Sequence, residues 1–124
     1  MSGSNKTEQF LHENITWKRL LDFIIQENNF LKTRLSEVVD RETDKVFIAN
    51  AEQFQNEFIL KAECILDIGN DIKVQERDLT LAYTQKNAPD HKTCKQQENL
   101  RNEIPYLKTA CPNLKTQINK YILP

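Results

Sequence analysis

Glycine occurs only twice in this chain of 124 residues and proline four times. So few turn-forming residues leave little scope for a sheet-rich fold and favour long helices. No run of residues approaches the roughly 20 apolar positions of a membrane span. The N-terminus, MSGSNKTEQ, is polar where a secretory signal has an apolar core. Cysteine is sparse as well: Cys64, Cys94 and Cys111 are odd in number, far apart and without a CxxC pair, which points away from a disulfide framework and from a zinc ribbon. These absences predict a cytoplasmic protein in a reducing compartment with no membrane partner. The motifs of common catalytic chemistries are missing too, for there is no glycine-rich phosphate loop, no GxSxG elbow and no HExxH pair. Cys94, three residues after His91, is the one candidate for a cysteine–histidine nucleophile, and no third group stands by to orient it. The expectation is that the protein is not an enzyme.

What the chain has in quantity is charge, with 28% charged residues beside 39% hydrophobic ones and a net charge of −1. The charge is unevenly spread. Residues 1–85 carry 10 Lys/Arg against 15 Asp/Glu, and residues 86–124 carry 7 against 3. This asymmetry predicts a basic third segment docked on an acidic first part. A nucleic-acid reader normally shows a larger basic excess with aromatics placed to stack, so nucleic acid is not expected as a partner. Arg101, Lys108 and Lys115 recur every seven residues, which is the spacing of a solvated helix face.

The apolar residues follow helical seams. Steps of three and four link Phe10, Asn14, Trp17, Leu21, Ile24, Asn28, Leu31, Leu35 and Val38. Thr7 is placed as the N-cap of this first helix, so residues 1–7 read as a flexible N-terminal tail and residues 8–124 as a single helical-bundle domain. The polar run DRETD (40–44) ends the helix. A second seam runs from Phe47 through Phe58, Ile65, Ile72 and Leu79 to Ala82, and the breaker KNAPD (86–90) follows. A third seam runs from Gln97 through Leu100, Ile104, Leu107, Cys111, Leu114 and Ile118 to Tyr121. Pro105 and Pro112 are expected to bend this helix without stopping it.

The fold predicted is all-α, an antiparallel up-down-up bundle of three long helices joined by short polar connections. A second helix of about 40 residues would be roughly 60 Å long against about 45 Å for its neighbours. Leu79, Leu81 and Tyr83 would then lie uncovered. Either the second helix breaks near IGND (68–71), where Gly69 weakens it, giving four helices, or a second copy covers the overhang. The second alternative predicts a homo-oligomer, with a dimer favoured.

Several short pieces resemble small bacterial helical-bundle proteins of the hemerythrin-like kind: NITW (14–17), Glu27, RLSEV (34–38), TDK (43–45), EQFQNEFI (52–59), and Asp90 with His91. The resemblance implies histidines at the positions of Asn14, Gln53 and Asn70 and an acid at Glu27, gathered around a metal in the bundle interior. In this chain three of those positions hold neutral amides, which are poor ligands for transition metals. Asn14, Glu27, Gln53 and Asn70 are therefore expected as a polar core of degenerate ligand positions, with no cofactor.

A reading without ligands covers the same residues. Asn14 and Asn28 interrupt the first seam, and Lys61 and Gln75 interrupt the second. Buried polar residues at such positions set helix register at some cost in stability. Folding the first helix onto the second brings Asn14 level with Asn70, which predicts a buried amide pair. Cys64 and Cys111 come out level with each other, and His12 falls beside the seam as a boundary residue. The function expected is a non-catalytic structural or protein-interaction role, the partner protein being unknown, in a hemerythrin-like bundle that has lost its metal site. The alternative is an iron- or zinc-binding bundle that uses His12 with the carboxylates Glu13, Glu27, Glu57 and Glu63.

Overall fold

A computed structural model describes the backbone of residues 2–122 and the side chains of residues 5–122. Three helices account for nearly all of it: α1 (Ser2–Asp40), α2 (Lys45–Thr84) and α3 (His91–Ile122). No strand occurs among the described residues. The chain is an all-α helical bundle, as the three seams require. Among the described residues, no helix is long and apolar enough to cross a membrane.

The helix ends are set by local hydrogen bonds. Asp44 caps α2, its carboxylate accepting from the backbone N–H of Val46 at 2.9 Å and of Phe47 at 3.5 Å. At the other end of α2, Lys86 takes a left-handed conformation with φ 58°. Its N–H donates to the Tyr83 carbonyl at 3.1 Å, and the N–H of Asn87 reaches back to Ala82 at 2.8 Å. This pair of bonds is a Schellman closure, a position that usually holds glycine. Asp90 then starts α3 by accepting from Thr93 N–H at 2.8 Å. α3 passes through Pro105 and Pro112 without stopping. Both prolines are exposed, so the backbone carbonyls they leave unbonded lie toward water.

Two boundaries differ from the sequence expectation. α1 begins at Ser2, so residues 2–7 of the expected tail are helical and Thr7 is no N-cap; Met1 lies outside the described residues. Thr7 is fully buried, and its hydroxyl donates to the Asn87 carbonyl at 3.5 Å. α2 is unbroken over 40 residues, and Gly69 keeps a negative φ, so there are three helices and not four. The cost of glycine in a helix interior is about 1 kcal/mol. The neighbouring Ile65, Ile68 and Ile72, all buried, outweigh it at roughly 1.5–3 kcal/mol each. α1 is 39 residues long and α2 is 40, so α2 is not the much longer rod that the expected overhang requires. Leu79 is fully buried within the chain, while Leu81 and Tyr83 stay about half exposed. The length of α2 therefore gives no reason to expect a dimer.

The core has two parts. One packs Trp17, Leu21 and Ile24 of α1 on Ile65, Ile68 and Ile72 of α2 and on Leu100, Ile104, Leu107 and Cys111 of α3, with Cys64 against its edge. The other gathers Leu31, Leu35, Ala51, Phe58, Leu114 and Ile118. Tyr121 closes that end, stacking on Phe47 at 4.5 Å and meeting Phe54 edge-on at 5.1 Å. Its hydroxyl donates to the Phe47 carbonyl.

Candidate functional site

The seams are apolar except at a few positions, and three of those exceptions meet. Asn14 of α1, Gln75 of α2 and Gln97 of α3 are each 2% exposed or less. Nε2 of Gln75 donates to Oε1 of Gln97 at 2.9 Å and to the Thr93 carbonyl at 2.9 Å. Nε2 of Gln97 in turn faces Oδ1 of Asn14 at 3.0 Å, Oε1 of Glu13 at 3.2 Å and the Phe10 carbonyl at 3.3 Å. Each helix thus contributes one amide to a single buried layer.

The direction of this layer is dictated by groups that can only accept. The Thr93 carbonyl requires the nitrogen of Gln75, and the Phe10 carbonyl with the Glu13 carboxylate requires the nitrogen of Gln97. Asn14 must then offer its oxygen. Its Nδ2 is left buried with no hydrogen-bond partner among the described residues. An unmade buried hydrogen bond costs about 1–3 kcal/mol, so the layer carries a built-in penalty on the Asn14 side.

Charge surrounds the layer on its wetter side. Arg101 grips Glu13 with two bonds of 2.7 Å and lies 5.1 Å from the centre of the Phe10 ring. The hydrogen bond to Glu13 pushes the Arg101 guanidinium still further up from its ordinary value. Further along the same two helices, Lys115 pairs with Glu27 at 2.6 Å. Two members of the basic stripe on α3 are thereby neutralised by acids of α1, which is the docking that the charge asymmetry predicts.

The expected site residues do not all converge. Asn14 is buried and Glu27 is half-buried against Lys115, but Gln53 and Asn70 are exposed. These four residues form no common polar core. The reason is helical phase: Gln53 stands two residues after buried Ala51, and Asn70 two residues after buried Ile68. A step of two turns a side chain about 200° around the helix, away from the seam. The partner of Asn14 is therefore Gln97 and not Asn70. Gln97 was visible as the first member of the third seam, but its meeting with Asn14 depends on how the helices are set against each other.

The alternative ligands are equally dispersed. His12 and Glu63 are exposed, Glu13 is held by Arg101, Glu27 by Lys115, and Glu57 lies 3.8 Å from Lys61. No three His, Cys, Asp or Glu side chains are grouped to hold a metal ion among the described residues. Amides and ion-paired carboxylates do not fit iron or zinc. The thiol of Cys94 contacts the Pro89 carbonyl at 3.8 Å, and His91 is exposed at the start of α3.

One acid was missed in the sequence. Burial, and then the nearby charge of Asp71, push the Glu103 carboxyl up from its usual range. Burial, and then Glu103, push the Cys64 thiol up as well, and burial does the same to Cys111, so both thiols are held in their neutral form. No known protein family, no curated protein and no solved structure matches this chain.

Proposed function

We propose that this protein is a non-catalytic helical bundle with a structural or protein-interaction role, and that its polar interior serves to fix helix register. The observation that carries the reading is the amide layer: one buried amide from each helix, oriented by acceptors that leave no freedom to reverse it. A polar layer of this kind suits one set of helix positions and penalises every other.

In this reading the helices run up, down and up. The pairs Glu13–Arg101 and Glu27–Lys115 both span 88 residues, a repeat expected of parallel neighbours. Lys18 meets Glu76, and Thr7 meets Asn87, so early α1 lies against late α2. Gln75 with Gln97, and Phe47 with Tyr121, support opposite directions for α2 and α3. The likeness to hemerythrin-like proteins then concerns descent, a bundle that kept its helices without its ligands. A reducing, cytoplasmic setting suits its three free thiols.

Metal analysis of protein purified without chelator or added metal tests the reading. Iron and zinc are expected far below one ion per chain. Near-stoichiometric iron or zinc would overturn it.

A further inference from the structure

Two adjoining grooves, of 450 and 260 Å³, run between α1 and α2 and are walled by these two helices alone. Their walls follow a second seam. On α1 it reads Asp22, Ile25, Asn29 and Lys32; on α2 it reads Ile59, Ala62, Leu66, Gly69 and Lys73. The steps are again three and four, the spacing of a helix that packs against another helix. Its apolar members face water: Ile25 is 42% exposed, Ile59 51% and Leu66 64%.

Gly69 belongs to this seam. A methyl group there would meet nothing closer than Leu21 Cδ1, at 3.9 Å, so packing inside the chain does not call for glycine. Alanine would fit here with a better helix propensity. With Ala62 one heptad earlier, Gly69 keeps the floor of the groove low enough for another backbone to come close.

Four charges stand at the corners of the groove: Asp22 and Lys32 on α1, Glu63 and Lys73 on α2. None of them takes part in an ion pair among the described residues. The members of each pair are ten residues apart in sequence, about 15 Å along a helix. The midpoints of the two pairs, Glu27 and Ile68, lie nine residues on from Lys18 and eight back from Glu76, which meet at 3.0 Å. On the antiparallel pairing of α1 and α2 proposed above, the midpoints are level. Asp22 then lies across the groove from Lys73, and Lys32 across from Glu63, so the signs alternate around the four corners.

Such a pattern is complementary to itself. A half-turn about an axis in the plane of the groove, whether along the helices or across them, lays every acid on a base and every base on an acid. We propose that this groove is a self-association face, on which a second copy of the chain docks groove to groove about a two-fold axis, with Leu66 and Ile25 buried at its centre and Ile59 at its edge. The proposal rests on the bundle reading above. Metal content and the Asn14–Gln97 coupling test that reading whether or not the chain associates, so the two can fail separately.

Sedimentation of the full chain at micromolar concentrations tests the face. The parent is expected to be a dimer. Lys32→Glu with Lys73→Glu makes all four corners acidic, and Asp22→Lys with Glu63→Lys makes all four basic. Each double variant alone is expected to be a monomer with the helical circular dichroism of the parent, and their equimolar mixture to recover the dimer. Leu66→Arg should be monomeric and equally helical. A monomeric parent, double variants that remain dimers, a mixture that stays monomeric, or a dimer that survives Leu66→Arg would each overturn the proposal.

Discussion

Gln97 on α3 donates to Oδ1 of Asn14 on α1 at 3.0 Å, and in doing so leaves the other end of the Asn14 amide buried without a partner. The asymmetry follows from three fixed acceptors, Thr93 and Phe10 on the backbone and Glu13 on the rim. Gln97 is the hub, since it touches both of the other amides. Asn14 is a peripheral member, because Gln97 would keep two acceptors without it.

The turn between α2 and α3 offers a test of local strain. Lys86 holds φ 58° although it is not glycine, and non-glycine residues pay roughly 1–2 kcal/mol there. Lys86→Gly relieves that strain but adds freedom to the unfolded chain. A net gain of about 0.5–1 kcal/mol in urea unfolding is expected. A loss of stability would mean that the Lys86 side chain contributes to the turn.

Two carboxyls should shape the acid limb of stability in opposite senses. The hydrogen bonds from Thr93 hold the Asp90 carboxyl below its ordinary range, so its contribution is present above the unfolded-state pKa and is lost as pH falls through the folded one. Asp90→Ala should therefore lower the melting temperature at neutral pH, and the deficit should shrink in acid. Glu103 is shifted the other way by burial and by Asp71. Its ionised form opposes folding at neutral pH, and protonation removes that cost as pH falls through its raised folded-state pKa. Glu103→Gln should raise the melting temperature at neutral pH and lose its advantage in acid. Melting curves of both variants against pH check the signs, and parallel curves would contradict them.

Much of the fold was legible because three-and-four spacing is a local property that survives without knowledge of the partner. Phe10 to Leu35, Phe58 to Leu79 and Leu100 to Ile118 are where the seams put them. The start of α1 was not legible, since Ser2, Gly3, Ser4 and Asn5 are weak helix formers. What marks this end in the structure is tertiary: Thr7 and Phe10 are buried, and Thr7 reaches Asn87 of the turn between α2 and α3. The candidate site was half legible. Asn14 and Gln75 stood out as polar breaks in apolar seams, but the choice of Asn70 as partner used height along the bundle without helical phase. Glu103 is an exposed residue set apart only by partial desolvation and by Asp71 on another helix, and nothing in its own segment signals that.

The most direct measurement of the register role is a double-mutant cycle between Asn14 and Gln97, read by urea unfolding. Gln97→Leu strands the Asn14 oxygen and takes an acceptor from Gln75, and should cost about 1–3 kcal/mol. Asn14→Leu removes an amide that is already half unsatisfied, and should cost clearly less. With both replaced, the stranded group is gone, so the penalty of Gln97→Leu should be smaller by about 0.5–3 kcal/mol than in the parent. Strictly additive effects would contradict the account, because they would mean that the two amides do not act as one layer.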